Sequence, residues 1–563
     1  MIVADQPDTV IGYLKLRDAE RPERLCSRHI FPDRPPVETT YRQLTRRTGE
    51  FAALYAANGV GKGDVVLVIL PHHEDLLPAF LGAMWLGAIP AFLPPPTPRL
   101  DPEGYHANLR ALASAAQPRA IMTSRELAEG LRSVGPDGAA GPLLLRQDDA
   151  APNAEAPEPA ASGPEDIALI QFSSGSTGLQ KGALLSHRAL LAEMHGVADF
   201  FELTERDSFI TWVPLYHDWG LFCVALHSLQ LGTHYTLISP MHWVMKPVVV
   251  CEVISAYKPS VYYQPNFAFN YMTQRVRDSD MKGLDLSSIR LCCNGAEPCF
   301  FDSHKMFADR FSAWGLKPET LGIVYGMAEV TNSVFAAGHK EPIHVDCIDR
   351  KLLQEEGRAQ PVSESHPHLL RMLGVGRALT GTRFTIFDDS RREVAERIVG
   401  EVVIRSEARY HGYYRNQAAT DSAAHDGWYL TGDLGYRVGG ILFITGRKSD
   451  VIIAGGVNIY PQDVEKIVGE HPDAVAGRVA ALGMYDSDLG TERLVVIVES
   501  RSTEPEVLKN IAEHARSRVL QELGVTVDRI YHAPHRWVIK TSSGKVARGP
   551  NLQRLPELAS GRG

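Results

Sequence analysis

The stretch QFSSGSTGLQKG, residues 171–182, is the most informative segment of this chain. The apolar run Ile167–Phe172 that leads into it has the length of a buried strand and is too short for a helix. A loop rich in glycine and hydroxyl groups can wrap its N–H groups around an anion. No Gly-Lys-Ser/Thr triplet ends the loop, so it is not a Walker loop, and a plain Ser/Gly-rich linker is the alternative. The candidate anion-binding residues are Ser173, Ser174, Gly175, Ser176, Thr177, Gly178 and Lys181.

Length and composition restrict the possible functions. The chain has 563 residues, 44% of them hydrophobic, and a formal net charge of −9. Two or more domains are expected at this length, and a nucleic-acid surface is not expected without an excess of Lys and Arg. Seven cysteines without a CxxC pair argue against a disulfide framework or a zinc site, and predict a cytoplasmic protein. The first residues, MIVADQPDTV, do not resemble a signal peptide.

The longest uncharged segment is Leu76–Leu93, which extends over 18 residues. Prolines and glycines interrupt it, and its length lies at the lower limit for a membrane span. A buried helix followed by a buried strand is therefore the preferred interpretation, and we expect no membrane span.

The order of apolar runs predicts the fold class. Runs such as Val65–Leu70, Tyr235–Ser239 and Val261–Gln264 alternate with helical segments, which indicates α/β layers with largely parallel sheets. The Ala/Pro-rich acidic stretch Gln147–Glu165 is predicted to be a solvated linker. We place a domain boundary near Gly446–Asp450, with a large domain at 1–447 and a small α+β domain at 448–563.

Five motifs occur in an order that resembles the adenylate-forming superfamily, which includes acyl-CoA synthetases and peptide-synthetase adenylation domains. They are SSGSTGLQKG, YGMAE at 325–329, YLTGDLG at 429–435, GRKSDVIIAGGVNIYPQDVE at 446–465 and KTSSGKVAR at 540–548. Within it the chain is similar to the fatty acyl-AMP ligases, through HDWGL at 217–221, QPNFAF at 264–269, NGAEP at 294–298 and a polar insertion at about 345–373. The resemblance implies a large N-terminal domain of layered sheets and helices with a small mobile C-terminal domain.

The resemblance assigns candidate roles around ATP and Mg²⁺. The hydroxyl-rich loop would hold the phosphates, and Glu329, with Thr177, would bind the magnesium ion, which prefers oxygen ligands. Asp433 would accept both ribose hydroxyls, with Arg447 beside it. For Glu329 and Asp433 the alternatives are an exposed helix start and a simple turn residue. The residues expected to line the adenine are Gly295, Ala296, Glu297, Tyr325, Gly326, Met327 and Ala328.

The segment near the end of the chain offers two lysines for catalysis. Charge alone does not choose between Lys540 and Lys545, but the family pattern picks Lys545, which follows Ser-Gly, as the adenylation lysine. The family implies that the small domain rotates between adenylation and thiol attack, exchanging Lys545 for the region around Gly455–Gly456. Ser449 stands at the hinge position, where many relatives carry Asp or Lys. A floppy tail is the alternative interpretation of this segment.

The acyl substrate is expected to lie beside His217, Asp218, Trp219, Asn266 and Phe267. An adjacent His-Asp pair suggests acid–base chemistry, but an ionised carboxylate needs no base, so a role in the wall is preferred. Aromatic residues dominate this region, which favours an uncharged acyl chain, such as that of a fatty acid. Trp219 replaces the slimmer Met that is more frequent in these ligases, which predicts short or medium chains.

The resemblance also implies the acceptor of the acyl group. It is the phosphopantetheine thiol of a separate acyl carrier protein, in a polyketide, lipopeptide or lipid pathway, because the insertion disfavours the arrangement that loads CoA. About 18 residues follow Lys545, too few for a fused carrier domain. Two alternatives stay open, an acyl-CoA synthetase that uses free CoA and a non-catalytic nucleotide-binding protein of the same fold.

Overall fold

The computed structural model describes residues 6–96, 102–132, 141–172, 181–339, 341–454, 457–486, 491–541 and 544–559. It has the predicted α/β architecture, in which helices cover layered sheets. The helices are Val10–Glu20, Tyr41–Ala57, Leu76–Trp85, Pro102–Ala116, Arg125–Leu131, His187–Phe201, Asp218–Gly220, His227–Leu231, Pro240–Met245, Val249–Tyr257, Asn266–Arg275, Phe301–Phe311, Arg350–Glu356, Gln417–Ser422, Pro461–Gly469, Pro505–Leu523 and Arg548–Ala559.

The uncharged segment near residue 80 forms the predicted buried helix and strand. Helix Leu76–Trp85 is buried along its whole length and leads into strand Ile89–Phe92. That strand belongs to a fully parallel sheet in the order Ile89–Phe92, Val65–Ile69, Ala120–Thr123, Leu143–Arg146. Among the described residues, no helix is both long enough and apolar enough to cross a membrane.

The largest sheet among the described residues has nine strands, and its middle strands are parallel. Parallel strands bring their carboxyl ends to one edge of a sheet. Leu291–Asn294 and Leu321–Gly326 are neighbours here, so NGAEP and YGMAE leave the sheet side by side. The strand order is Arg377–Ala378, Ser333–Ala337, Leu321–Gly326, Leu291–Asn294, Val261–Tyr263, Phe209–Thr211, Tyr235–Ile238, Leu25–Ile30, Val37–Thr40.

The strand that precedes the hydroxyl-rich loop departs from the expectation of parallel sheets. Ile167–Phe172 pairs antiparallel with Gly182–Ser186, the next described strand along the chain. Gly412–Tyr413 adds antiparallel to the second strand. A further antiparallel sheet contains Thr382–Phe387, Gly400–Ser406, Trp428–Val438, Ala424–His425 and Ile441–Arg447.

The residues of the predicted linker are mostly exposed or half-buried, and hydrogen bonds hold it against the rest of the protein. The indole N–H of Trp85 donates to the carbonyl of Pro157 at 2.8 Å, and the N–H of Ala160 donates to the carbonyl of Trp85 at 2.8 Å. Arg47 donates to the carbonyls of Gln147 and Ala150. A Pro-rich segment has few donors of its own, and here the helices it crosses supply them.

The described strands after Arg447 pair only with one another, at the position of the predicted boundary. They form the pair Ile452–Ala454 and Val457–Ile459, and a sheet of Ala474–Asp486, Thr491–Ser500 and Arg529–Ala533. Residues such as Val464, Val496 and Ile511 form a core of their own there.

The segment predicted to be the insertion forms two antiparallel strands, Val345–Asp349 and Leu369–Leu373, with helix Arg350–Glu356 between them in sequence. Strand Leu143–Arg146 completes the larger domain's parallel sheet.

Candidate active site

Glu329 lies in a short turn, Ala328–Val330, directly after the YGMAE strand. It is buried, with 9% of its surface exposed, which excludes the alternative of an exposed helix start. The hydroxyl of Tyr413 donates to Glu329 Oε1 at 2.7 Å, and the backbone N–H of Tyr410 donates to the Glu329 carbonyl at 2.9 Å. The first bond orients the carboxylate, and the second holds the backbone of the turn.

Lys181 lies near Tyr413, the residue that donates to this carboxylate. Its ammonium group is 5.0 Å from the ring centre of Tyr413, within range of a cation–π interaction. Lys181 directly precedes the strand Gly182–Ser186, which pairs with Gly412–Tyr413, and this pairing brings lysine and tyrosine together. The predicted phosphate-binding residues Ser173, Ser174, Gly175, Ser176, Thr177 and Gly178 lie outside the described residues.

Asp433 is the centre of a second polar group. It lies within strand Trp428–Val438 and is 7% exposed, so it is not a turn residue. The hydroxyl of Tyr325 donates to Asp433 Oδ2 at 2.7 Å, and Arg447 Nε donates to Oδ1 at 3.1 Å. The charge of Asp433 raises the pKa of Arg447, and burial, with Asp433, raises the pKa of Tyr325. The arrangement presents a buried carboxylate with an arginine and an aromatic ring.

The segments predicted to line the adenine lie close together in the structure. A Cβ on Gly295 would lie 2.7 Å from the carbonyl oxygen of Val324, and one on Gly326 would lie 1.4 Å from that of Asn332. Only glycine permits these approaches. Ala296 follows with φ of 64°, a left-handed conformation that non-glycine residues adopt mainly at special sites. Glu297 accepts a hydrogen bond from the N–H of Phe267, and Met327 and Ala328 pack against the main core.

The described residues of the C-terminal segment that carries both candidate lysines are held by hydrogen bonds, unlike a floppy tail. The N–H of Thr541 donates to the carbonyl of Lys545 at 2.8 Å, and Lys540 bridges to Val546. Lys545 keeps an exposed surface, and the protein packed around its ammonium group lowers its pKa, as does Arg447, while three carboxylates oppose the shift, those of Asp218, Glu297 and Asp433. The adenylation lysine predicted from the motif thus lies within electrostatic reach of the other predicted residues.

Lys540 lies near the same site. Burial lowers its pKa, while Glu297 acts in the opposite direction. Glu297 acts on the pKa of both lysines, and Asp433 and Asp218 act on that of Lys545. The action of Asp433, the predicted ribose ligand, on Lys545 agrees with the choice that the family pattern makes. Gly455 and Gly456, predicted to replace it in the second step, lie outside the described residues.

The His217–Asp218 pair caps the start of a helical segment. Nδ1 of His217 lies 2.6 Å from Oδ1 of Asp218, and this carboxylate oxygen also accepts the N–H of Trp219 at 2.8 Å, at the start of a helical segment. Burial acts to raise the pKa of Asp218, but His217 and the Trp219 N–H outweigh it, so the pKa is lowered. These contacts agree with the preferred role in the wall. The helix continues with a π-helical turn, Leu221–Leu226, of a kind frequent at functional sites.

Aromatic rings form the rest of this wall. The Trp219 ring meets the edge of Tyr263 at 5.6 Å, and Phe267 packs edge-on against Trp212 at 5.7 Å. Asn266 differs from its prediction as a substrate neighbour. Its amide nitrogen donates to Ser303 at 3.2 Å, and its amide oxygen accepts from Asn294 at 2.9 Å. The Asn266 side chain therefore stabilises the segment around Asn294 through hydrogen bonds inside the protein.

Sequence reasoning missed two features of the site, the hydroxyl of Tyr413 on Glu329 and the buried acid Glu193. Tyr413 lies 84 residues from Glu329 in a segment without a recognised motif. Glu193 lies on the buried face of helix His187–Phe201, as an acid among apolar residues. That polar residue on an apolar face is the one signal that could have revealed it.

Comparison with known proteins decides the family. The model of the AMP-binding enzyme family matches residues 18–414. The chain belongs to this family. A long-chain fatty acid–AMP ligase, FadD32 of Mycolicibacterium smegmatis, is 28% identical over 92% of this chain and 88% of its own. TtuA of Teredinibacter turnerae, a medium-chain fatty acid–acyl carrier protein ligase, is 32% identical over 71% of this chain and 65% of its own.

A solved structure agrees with the sequence relatives. It comes from work on fatty acyl-adenylate ligases of E. coli and L. pneumophila, superimposes with a TM-score of 0.91 at 27% identity, and covers 98% of both chains. The predicted adenylate-forming fold is therefore confirmed, as is the resemblance to fatty acyl-AMP ligases. The member of the AMP-binding family described here is a ligase that forms acyl adenylates, with ATP as its nucleotide.

Proposed function

We propose that this enzyme is a fatty acyl-AMP ligase that passes its acyl group to a separate carrier protein. One observation carries the proposal. Glu329, Asp433 and Lys545 are far apart in sequence, yet the charge of Asp433 acts on the pKa of Lys545, and Glu329 lies in the turn that follows the strand whose Tyr325 donates to Asp433. These contacts support a single site with a carboxylate for a metal, a carboxylate for a ribose and a lysine for the reacting phosphate.

The residues present are suited to Mg²⁺. Glu329 Oε1 is occupied by Tyr413, and a carboxylate has further lone pairs for a cation. Magnesium in such sites takes one or two carboxylates and completes its shell with phosphate oxygens and water. Glu329 would hold the ion, and Thr177 is the second predicted ligand. The bound ion would supply charge neutralisation at the phosphates.

The proposed first step joins an acid to AMP. A carboxylate oxygen attacks the α-phosphorus of ATP, the bond from that phosphorus to the bridging oxygen breaks, and pyrophosphate leaves with the electron pair. Lys545 stabilises the negative charge that builds on the α-phosphate and brings the carboxylate toward it. Tyr325 stacks on the adenine, while Asp433 and Arg447 hold the ribose. The remaining predicted nucleotide contacts, Gly295 to Glu297 and Gly326 to Ala328, stay part of this proposal.

The proposed second step uses a carrier thiol rather than free CoA. The insertion contacts the C-terminal domain through Arg350 and Asp463 at 3.5 Å, and Asn458 donates to the Gln354 carbonyl at 3.3 Å. Tyr460 packs in one core with Ile348. These contacts restrain rotation of the small domain about Ser449, which supports the carrier as the acceptor. An acyl-CoA synthetase is the second candidate.

The wall around Trp219 sets the proposed substrate length. Its ring is 2% exposed and fills space between Tyr263 and Gly295. A bulky ring at this position leaves less room for a chain, which supports short or medium acids. Measuring ATP–pyrophosphate exchange with acids of graded length tests this, and a clear optimum at long chains would refute it.

Product analysis tests the main proposal. The protein is incubated with ATP, Mg²⁺ and a panel of acids, with CoA, with a phosphopantetheinylated carrier or with neither, and products are identified by mass spectrometry. Acyl-AMP without acceptor, and acyl-carrier with little acyl-CoA, are the expected results. Abundant acyl-CoA would assign the enzyme to the second candidate.

The seven free cysteines support a reducing cytoplasm as its location.

A further inference from the structure

A group of buried polar side chains lies next to the acyl wall and takes no part in the chemistry above. Glu193 Oε1 accepts from the N–H of Ser333 at 3.1 Å and from the thiol of Cys223 at 3.6 Å. Asn332 donates to the Cys223 sulfur at 3.2 Å. Glu193, Cys223 and Ser333 are each at most 2% exposed. We call these four residues the polar cluster.

The polar cluster adjoins the aromatic wall. Trp219 and Cys223 are four residues apart in the helical segment that begins at Asp218, so they are neighbours on it, and the Trp219 ring contacts Tyr263 at 5.6 Å. Burial, and further the charge of Asp218, raises the pKa of both Glu193 and Cys223. The cluster therefore borders the wall that is predicted to hold the acyl chain.

Three polar atoms at this place have no hydrogen-bond partner within the described part of the chain. They are Glu193 Oε2, the hydroxyl of Tyr263 and the indole nitrogen of Trp219. All three side chains are at most 2% exposed. Leaving a buried polar group unpaired is costly, and native proteins pair the large majority of such groups. An alkyl chain offers no partner to any of them.

The chemistry of these atoms defines what would pair with them. The Trp219 nitrogen only donates, and the Tyr263 hydroxyl donates or accepts. Burial chiefly, together with Asp218, raises the pKa of Glu193 to about 8, so that at neutral pH its carboxyl group is largely protonated and donates. All three thus supply donors to an acceptor oxygen, while no fixed charge opposes a neutral ligand.

We propose that the acyl pocket ends at the polar cluster and that the preferred acid carries an acceptor oxygen, a hydroxyl or a ketone, along its chain. This inference rests on the proposed function, because it names the substrate class of the same site. It distinguishes this enzyme from ligases of plain alkyl acids. A site built to pair a substrate oxygen rejects the analogue that lacks it more strongly than a hydrophobic pocket rejects a change in length.

ATP–pyrophosphate exchange with matched acids tests the proposal. Octanoate is compared with its 5-hydroxy, 7-hydroxy and 7-oxo derivatives, so that the hydroxyl and ketone arms are separated. We expect kcat/KM to be about tenfold or more higher for at least one oxygenated acid, as for one well-made hydrogen bond. Equal or better use of octanoate would overturn the inference. Formation of no acyl adenylate from any acid would instead overturn the proposed function.

Variants at the unpaired atoms locate the preference. Tyr263→Phe removes one oxygen and is expected to reduce the ratio of kcat/KM between oxygenated acid and octanoate by severalfold or more. Glu193→Leu should do the same, whereas Glu193→Gln, neutral and able to donate, should keep most of the preference. ATP binding measured by calorimetry reports whether each variant is folded. Should Glu193→Leu fail to fold, Tyr263→Phe decides the outcome, and an unchanged ratio there would contradict the assignment.

Discussion

The hydroxyl of Tyr413 donates a 2.7 Å hydrogen bond to the carboxylate of Glu329, while the ring of the same tyrosine lies 5.0 Å from the ammonium of Lys181. One side chain thus joins the predicted metal ligand to the end of the predicted phosphate loop. The strand pairing of Gly412–Tyr413 with Gly182–Ser186 holds it there. Three separate stretches of sequence become one site through this residue.

Removing that hydroxyl should weaken adenylation without removing the ring. In Tyr413→Phe the contact with Lys181 is kept, and only the bond to Glu329 is lost. A hydrogen bond to a charged group contributes about 1.5–3 kcal/mol, so we expect exchange activity to fall about tenfold or more and to need more Mg²⁺. Tyr414→Phe, the adjacent tyrosine, is the matched control. Equal effects of both variants would show that the bond does not orient Glu329.

Substitutions of the two C-terminal lysines should differ in their effect on the rate of adenylation. Lys545→Ala is expected to lower the rate of ATP–pyrophosphate exchange by about 10²–10³, since positioned charge of this kind contributes about 3–4 kcal/mol. ATP affinity, measured by calorimetry, should change little. Lys540→Ala should have a smaller effect, because Lys540 does not follow the Ser-Gly pair that marks the adenylation lysine in the family pattern. Lys509→Ala, on an exposed face of the same domain, is the control. Unchanged exchange in Lys545→Ala would remove this lysine from the mechanism.

Loosening the insertion should raise the use of free CoA. Arg350→Ala removes the 3.5 Å contact with Asp463, whose pKa is raised by burial while Arg350 opposes the rise. Ion pairs near a surface contribute about 1 kcal/mol or less, so a severalfold increase in acyl-CoA relative to acyl-carrier product is expected by mass spectrometry. Lys351→Ala, with an exposed partner in Glu355, is the control. A product ratio equal to the wild-type value would argue against the restraint.

Buried histidines should make the protein sensitive to acid. His29 is fully buried, and burial first, then His73 and Arg34, lower its pKa from 6.5 to about 3. Below about pH 6.5, His29 is therefore protonated in the unfolded chain but stays neutral in the folded protein. This contribution to stability is complete above pH 6.5 and is lost as pH falls toward 3, by about 1.4 kcal/mol per pH unit.

Urea unfolding at pH 7.5 and pH 5.5 measures this effect. His29→Phe, which keeps a ring beside His72 and Tyr235, should reduce the loss of unfolding free energy between the two pH values by about 1 kcal/mol. His368→Gln, on the exposed surface, should follow the wild-type curve. An identical pH dependence in His29→Phe would mean that His29 does not contribute.

Local pattern was sufficient for several elements. Runs of apolar residues predicted strand Val65–Ile69, helix Leu76–Trp85 and strand Ile89–Phe92. Such predictions succeed because the burial of a segment and the periodicity of its apolar residues can be recognised from residues that are adjacent in sequence. The linker was predicted less well, since its hydrogen bonds come from Arg47 and Trp85, about a hundred and about seventy residues away. The antiparallel pairing of Ile167–Phe172 with Gly182–Ser186 is likewise a contact between two strands that a run of apolar residues does not specify.

The sequence by itself determined the family, the fold class and the residue types that adenylation needs, because motifs and periodicity are local properties of the chain. Only the tertiary structure decided which groups meet. Tyr413 reaches Glu329, Tyr325 reaches Asp433, and Glu193 reaches Cys223 through pairings of strands and helices that are distant in sequence. Such contacts depend on long-range packing, in which one segment's position is set by all the others, so no local pattern encodes them.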